Sequence, residues 1–422
     1  MTDNTENIIT SIDIGTTKTA VVIAESDSNQ TIKILGVGES DNKGLKKGIV
    51  ENVTLTAESI KSAIEEAENQ AGVDVESAIV GLTGQHIKGI NNTGVITVNS
   101  PGGDLISERE ITNDDLHRVL EHTKAVTLPQ NRRILHVLSQ EYNVDNHRGI
   151  KNPLGMTGHR LEASVHLVTS DVRNEQNIES SLRRVNIDVE QFVLNPLASS
   201  YAVLDPNEKN LGVAMVDIGG GTTDVIVYHN DGVRHTGIVP IGSNNITSDI
   251  AHGLQTTIEQ AEMLKINHGI AKSALAEDEK TIQIEGIGGR EGKLISPREL
   301  SNLIEPRLVE IFALALNEIK KKDYPGFLTF GVILTGGGCL LNNAKDLALD
   351  VFQQPIKLAS PIETGGFKDK LDDPRYSTAV GLAQYGLLNT DLNDQNDTSV
   401  TEWISDIPKL GEKLKDFWNK WI

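Results

Sequence analysis

The stretch Ile8-Ile9-Thr10-Ser11-Ile12-Asp13-Ile14-Gly15-Thr16-Thr17-Lys18-Thr19, running on into Ala20-Val21-Val22-Ile23-Ala24, decides the reading of this chain because its pattern returns. Val213-Ala214-Met215-Val216-Asp217-Ile218-Gly219-Gly220-Gly221-Thr222-Thr223-Asp224 runs on into Val225-Ile226-Val227-Tyr228. Each copy is an apolar strand, an Asp, a Gly/Thr turn and a second apolar strand, which is a hairpin whose tip can hold phosphate. Glycine lacks a Cβ, so Gly15 and Gly219 to Gly221 let the backbone take φ > 0 and approach a ligand closely. Successive N–H groups in such a turn make a concave anion site. Thr16, Thr17, Thr222 and Thr223 add hydroxyl donors, and Lys18 adds a point charge. Asp13 and Asp217 would repel bare phosphate, so their sensible role is to hold Mg2+, directly or through water. A single Gly-rich hairpin is usually a tight turn. Two copies with the same order of residue types can face each other and grip a nucleotide's phosphates from both sides.

Outward from the hairpins, strands and helices alternate in both halves, the pattern of α/β sheets with helices on their faces. In the first half, 31–37 reads as a third strand, 55–71 as a helix and 77–82 as a buried strand. The second half repeats this with a strand over 233–239, helices from 244 to 268 and a strand over 332–335, so the chain reads as a duplicated lobe. The halves carry different insertions. The polar block from Gly84 to about Leu161 splits the first lobe, which the chain is expected to re-enter at Ala163-Ser164-Val165-His166-Leu167-Val168. A more helical block runs from Thr236 to about Asp323. Its long helix, 297–322, has one apolar face of Leu300, Leu303, Ile304, Leu308, Ile311, Phe312, Ala315 and Ile319. Ser296, Pro297 and Glu299 give that helix a capped start.

Three further constellations bear on the same site. Val332-Ile333-Leu334-Thr335-Gly336-Gly337-Gly338 is a strand ending in three glycines ahead of a helix over 340–351, a place where a nucleoside could lie against backbone. Glu262 and Lys265 share a helix face at i, i+3, whether as a plain ion pair or as part of a site. Asn195 opens a small-residue helix, Asn195-Pro196-Leu197-Ala198-Ser199-Ser200-Tyr201-Ala202, that could connect the lobes. The eleven histidines show no metal-ligand spacing, and no Ser/His/Asp or Cys/His nucleophile arrangement occurs.

Composition bounds the rest. At 422 residues and 38% apolar the chain can bury the cores of two domains. A lone cysteine, Cys339, excludes an internal disulfide framework. The start Met1-Thr2-Asp3-Asn4-Thr5-Glu6-Asn7 has no basic or apolar region and does not read as a signal peptide. A net charge of −20 argues against general nucleic-acid binding, which needs clustered Lys and Arg.

The tail reverses that sign. Residues 389–407 are Asn/Asp-rich and patternless, the composition of a flexible acidic linker. From Pro408 on, four Lys face two acids. Leu410, Leu414, Phe417, Trp418, Trp421 and Ile422 form a helical stripe, with Lys413, Lys415 and Lys420 among the residues opposite. Apolar and aromatic residues opposite lysines describe a helix that lies in a membrane interface, 408–422. Partial burial of six side chains, each worth roughly 1.5–3 kcal/mol when fully buried, must offset about 1–2 kcal/mol of backbone entropy per ordered residue. One tail therefore binds weakly and reversibly, and an array of tails binds strongly by avidity.

Together these residues resemble the actin and heat-shock ATPase superfamily, and within it the FtsA family of bacterial cell-division proteins, along nearly the whole chain. The paired hairpins, the Leu334-Thr335-Gly336-Gly337-Gly338 turn and the Asn195 helix are superfamily features. Val80-Gly81-Leu82-Thr83-Gly84-Gln85-His86-Ile87, Ile134-Leu135-His136-Val137-Leu138-Ser139-Gln140-Glu141-Tyr142-Asn143-Val144-Asp145, Asn152-Pro153-Leu154-Gly155-Met156, and Ala261-Glu262 with Lys265 are more specific to the family.

The resemblance implies an actin-like, duplicated two-lobe ATPase fold with an inserted subdomain. Subdomain 1A would span 1–83 and 162–195, with 360–388 packing back. Subdomain 1C would be 84–161, subdomain 2A 196–235 and 324–359, and subdomain 2B 236–323. It implies ATP and Mg2+ as ligands, with Glu262 and Lys265 at the adenosine beside Gly336, Gly337 and Gly338. Self-assembly into protofilaments, binding of the C-terminal peptide of the tubulin-like FtsZ, contact with later division proteins, and a peripheral place on the cytoplasmic face of an anionic membrane at the septum follow from it too. Arg298, Ser301 and Asn302 at the start of the long helix are the FtsZ candidates. Asn195 stands where many superfamily members carry the residue that orients the attacking water. It cannot serve as a general base, which implies slow hydrolysis or none. Ser139 stands where the family more often has Pro. Other readings of the same residues are a sugar-kinase-type phosphotransferase, a chaperone-type ATPase and another membrane-tethered assembly protein. The chaperone class needs a large C-terminal client domain that the chain does not show.

Overall fold

β1 (Ile8–Ile14) and β2 (Lys18–Ser26) are buried on both faces over nearly their whole length, as the centre of a sheet covered by helices requires. In this computed structural model the described residues are 8–26, 32–98, 109–277, 280–286, 291–321, 326, 328–362 and 365–393. The first lobe continues with β3 (Ile32–Asp41), α1 (Val53–Ala71) and β4 (Ser77–Leu82). The insert holds β5 (Lys88–Thr97), α2 (Asn113–Thr123), β6 (Arg132–Val144), β7 (His147–Ile150) and β8 (Arg160–Asp171). Then come α3 (Val172–Arg183), β9 (Asp188–Leu194) and α4 (Asn195–Val203). The second lobe comprises β10 (Val213–Ile218), β11 (Thr223–His229), β12 (Gly232–Val239), α5 (Ser243–Leu254), α6 (Ile258–His268), α7 (Pro297–Lys320), β13 (Val332–Thr335), α8 (Ala344–Phe352) and β14 (Ile356–Leu358). Helix α9 (Ser377–Asn393) returns to the first lobe, where it packs on β1, β2 and β4.

The two lobes are copies. Their five-stranded sheets run β3-β2-β1-β4-β9 and β12-β11-β10-β13-β14. In each, two antiparallel ladders join the first three strands and two parallel ladders add the rest. The local chemistry explains the helices between them. Asn52 caps α1 by accepting from the N–H groups of Thr54 and Leu55, and Gly72 ends it at φ 72°. Its buried stripe, Ile60, Ala63, Ile64 and Ala67, joins the first-lobe core. Ser296 and Glu299 form the capping box that starts α7, and Ile304, Leu308, Ile311 and Phe312 on it are fully buried in the second core. Helices α4 and α9 cross so closely that a Cβ on Gly381 would lie 1.9 Å from the Ala198 carbonyl oxygen. The small-residue helix is thus clamped at the junction of the lobes.

Two sequence expectations need correction. The run 163–168 does not re-enter the first lobe. It lies in β8, which pairs antiparallel with β5 and β6 in the insert's own sheet, ordered β7-β6-β8-β5. A short apolar run does not say which sheet it joins, and here Ala163, Val165 and Leu167 fill the insert's core while only Val168 reaches the first lobe's. The chain returns to the first lobe through α3 and β9. The helix expected over 340–351 begins at Ala344, after a 3-10 turn over Gly337–Leu340 and a left-handed Asn343.

The insert also reaches across to the second lobe. Gln140 donates to the Val233 carbonyl at 2.8 Å and Asn91 to that of Arg234 at 3.2 Å. His166 pairs with the Thr236 hydroxyl at 2.8 Å. These contacts cover the edge strand β12. Helix α9 extends through 393, so the first five residues of the expected linker are helical. The remainder of the linker and the tail, 394–422, lie outside the described residues. No helix among the described residues is long and apolar enough to cross a membrane.

Candidate functional site

The tips of the two hairpins meet at the mouth of a cleft between the lobes. In each, the first glycine donates to the carbonyl three residues on: Gly15 to Lys18 and Gly219 to Thr222, both at 2.9 Å. None of Gly15, Gly219, Gly220 and Gly221 takes φ > 0, contrary to the reading from sequence. They are glycines because other atoms crowd them. A Cβ on Gly220 would sit 2.6 Å from the Thr17 methyl carbon, and one on Gly221 would sit 2.5 Å from the Thr16 hydroxyl oxygen. The second tip is bare so that the first can press against it.

Behind the tips lies a cleft of about 490 Å3. Asp13, Gly15, Thr16, Thr17, Lys18, Asp217, Gly219, Gly220, Gly221, Thr222, Glu262, Lys265, Gly336 and Gly337, all expected at the site, line it, as does Asn195. Two expected residues do not. Thr223 is the first residue of β11 and points away from its neighbour Thr222; its hydroxyl donates to the Ile241 carbonyl at 2.8 Å. Gly338 is buried under Ile218, whose methyl carbon a Cβ there would meet at 2.3 Å. Gly336 takes φ 81°, and a Cβ on it would lie 2.2 Å from the Asp217 carboxylate.

Three carboxyls crowd the floor. Burial pushes Asp13 up to about 6 against the pull of Lys18, and Asp217 adds to the rise. Burial, then Asp217, pushes Asp224 up to about 8. Asp217 is also raised by burial, although its Oδ2 accepts from the Ser199 hydroxyl at 2.8 Å. Asp13 accepts from the Asn195 amide at 3.3 Å, and Asp224 accepts from the Thr83 hydroxyl at 2.7 Å, which crosses between the lobes. Asn195 Oδ1 and Asp224 Oδ1 are buried without a hydrogen-bond partner. Buried carboxyls with orphaned oxygens and one nearby ammonium suit a hydrated cation brought in with phosphate. Among the described residues no three His, Cys, Asp or Glu side chains converge as a ready-made metal cage.

Lys18 is held at 3.3 Å from Glu39 and 3.8 Å above the Tyr376 ring, whose hydroxyl bonds Glu39. Lys265 is buried, 2.7 Å from Glu262 and 2.9 Å from the Thr247 hydroxyl. The pair is an ion pair, and it lines the cleft. Glu39, Thr83, Ser243, Arg375 and Thr378 also line the cleft and were not read from the sequence. Thr83 follows the C-terminal end of β4, where ligands of parallel sheets gather, and that rule could have found it.

Arg298, Ser301 and Asn302 are not part of this cleft. Ser301 is fully buried and donates to the Ile270 carbonyl at 2.7 Å, so it offers no surface to a peptide. It faces inward because it sits one turn beyond the buried Pro297, between Leu300 and Ile304. Arg298 and Asn302 are exposed, and Arg298 donates to the Ala276 carbonyl at 3.2 Å.

Comparison with known proteins agrees with this architecture. Residues 214–381 match the family model described as cell division protein FtsA, and residues 84–169 match that of the SHS2 domain inserted in FTSA. The chain is 38% identical to the cell division protein FtsA of Pseudomonas aeruginosa, over 98% of this chain and 97% of that protein. It is 34% identical to that of Escherichia coli K12, over 94% and 96%. Among solved structures, that of the PilM-PilN type IV pilus biogenesis complex shares the fold at TM-score 0.62 and 15% identity, covering 90% of this chain and 98% of the other. MreB5 of Spiroplasma citri bound to ADP does so at TM-score 0.55 and 14% identity, covering 93% and 99%.

Proposed function

This chain belongs to the FtsA family of cell-division proteins, and we propose that it is the ATP-binding, actin-like adaptor that self-assembles and tethers FtsZ to the cytoplasmic membrane at the septum. The observation that carries the nucleotide reading is the pair of equivalent hairpins whose tips meet over a cleft of buried carboxyls. ATP would place its phosphates between the tips, against Thr16, Thr17, Lys18 and Thr222. Mg2+ would be held through water near Asp13 and Asp217, supplying the positive charge that these carboxyls lack. Glu262 and Lys265 would meet the adenosine beside Gly336 and Gly337. MreB5, of the same fold, was solved with ADP, which supports the reading.

No side chain in the cleft is assigned as a catalytic base. Asn195 offers an acceptor without basicity, which favours nucleotide as an assembly ligand turned over slowly. Arg298 and Asn302, at the exposed start of α7, are the candidate contacts for an acidic FtsZ tail. The lysine-lined apolar stripe of 408–422 would lie in the anionic surface.

Co-sedimentation with anionic liposomes plus ATP and Mg2+ tests the whole reading. The full chain is expected to pellet and to bring FtsZ with it, while a truncation ending at Asp406 does neither. If both forms stay in solution and FtsZ is ignored, the tethering function is wrong.

A further inference from the structure

The insert touches the corner that leads into the cleft at a point its own core does not require. His136, in the insert's strand β6, is 3% exposed, and its Nε2 accepts the backbone N–H of Leu194 at 3.0 Å. Burial pushes that imidazole down to about 4, so it is neutral and its Nε2 is an acceptor. Leu194 ends β9 and is the N-cap residue of α4, with no side-chain capping bond of its own. The next residue is Asn195. Its amide reaches Asp13, its Oδ1 is orphaned, and it lies so close over Gly81 that a Cβ there would be 2.5 Å from that oxygen. His136 also meets Tyr385 of α9 edge-on, with centroids 6.2 Å apart, and Tyr385 meets Tyr201 of α4 at 5.5 Å.

We infer that His136 is a positioning residue, through which the insert fixes the Leu194–Asn195 corner and so sets where the Asn195 side chain, bonded to Asp13, stands in the wall of the nucleotide cleft. This rests on the cleft holding a nucleoside triphosphate. The first N–H groups of a helix lack intrahelical partners, so a turn whose cap side chain supplies nothing relies on an outside acceptor. Here the acceptor belongs to the insert. Movement of the insert against the first lobe, for instance when a partner binds it, is thereby transmitted to Asn195 and, through its amide, to Asp13 in the cleft.

The test uses the full chain and its variants His136→Leu, His136→Gln, Asn195→Ala and the double variant His136→Leu/Asn195→Ala. Fluorescent-ATP affinity, single-turnover phosphate release with Mg2+ and amide exchange at 192–197 are measured on each. Affinity is expected to change by less than about threefold in the two single His136 variants, and phosphate release to fall about tenfold in His136→Leu. His136→Gln, whose amide oxygen can replace Nε2, restores it. The double variant is no slower than Asn195→Ala alone. If turnover is too slow to read in the parent, nucleotide-induced protection at 192–197 decides: present in the parent and in His136→Gln, lost in His136→Leu. Additive losses, or a Gln variant as impaired as the Leu variant, would show His136 to be a packing residue only. A parent chain that binds no nucleotide refutes the reading of the cleft itself, a failure seen before any variant is made.

Discussion

The first-lobe and second-lobe hairpins have one backbone and opposite electrostatics. Their ladders superpose Lys18 on Thr222 and Ala20 on Asp224, since Ile14 pairs with Thr19 and Asp13 with Ala20, as Ile218 pairs with Thr223 and Asp217 with Asp224. The first tip thus carries one carboxyl and an ammonium. The second carries two carboxyls opposite each other and no cation. The tips differ in bulk as well, with Thr16 and Thr17 packed against Gly220 and Gly221. On the proposed reading, the first copy is the side that attracts phosphate, and the second is the side that needs a cation before phosphate can approach.

If that division of labour holds, Lys18→Met is the most damaging change at the tips. A lost charge-assisted contact of roughly 1.5–3 kcal/mol lowers triphosphate affinity about 10- to 100-fold. Its counterpart Thr222→Val should cost only about fivefold, the value of one neutral hydrogen bond. Equal losses from the two, measured by titration with fluorescent ATP, would erase the asymmetry. Next in size is Gly221→Val, which drives a side chain into Thr16 and into the backbone N–H of Lys47, 3.0 Å from the built Cβ. Overpacking of about 1–3 kcal/mol holds the tips apart and weakens binding about 5- to 100-fold. Combining it with Thr16→Gly should recover part of the loss, because the clash is mutual. A pair whose losses simply add would mean that the tips do not close on one another.

Much of this was legible without coordinates, because the hairpin motif fixes strands, turn and partner in one short stretch. The repeat of Asp-Ile-Gly at 13–15 and 217–219 announced both lobes, and the capping box at Ser296 announced α7. What the sequence could not show is long-range packing. Nothing near Gly220 says that Thr17 will press on it, so its glycine looked like conformational freedom and proved to be clearance. Ser301 looked like a surface residue beside Arg298, yet the rotation of α7 turns it inward. Arg375 and Thr378 reach the cleft from the turn before α9 and from its first residues, far along the chain from both hairpins, and no local pattern marks them.

The smallest effect is the one that isolates the second tip from its ligand. Asp224 in the folded chain keeps its proton to about pH 8, whereas an unfolded aspartate is ionised above about 4. Through this range the native state binds more protons, so stability falls as pH rises. Asp13, raised to about 6, acts in the same direction but is ionised by the upper end. His86 and His136, pushed down to about 4, act oppositely, but only up to about 6.5, where unfolded histidine also loses its proton. Lys209, lowered to about 8, acts above that. The clean window is therefore about pH 6.5 to 8. There the melting temperature of the ligand-free chain should drop by roughly 1–3 °C, given at most about 1.4 kcal/mol per pH unit for one proton. Asp224→Asn retains an acceptor for the Thr83 hydroxyl and no longer titrates, so it should flatten the profile. Lys18→Met should not flatten that slope: removing the ammonium that pulls Asp13 down lets Asp13 titrate into the same window and, if anything, steepens it. Equal flattening by both substitutions would show the carboxyls and the lysine acting as one pool of charge, and the two hairpins as electrostatically alike.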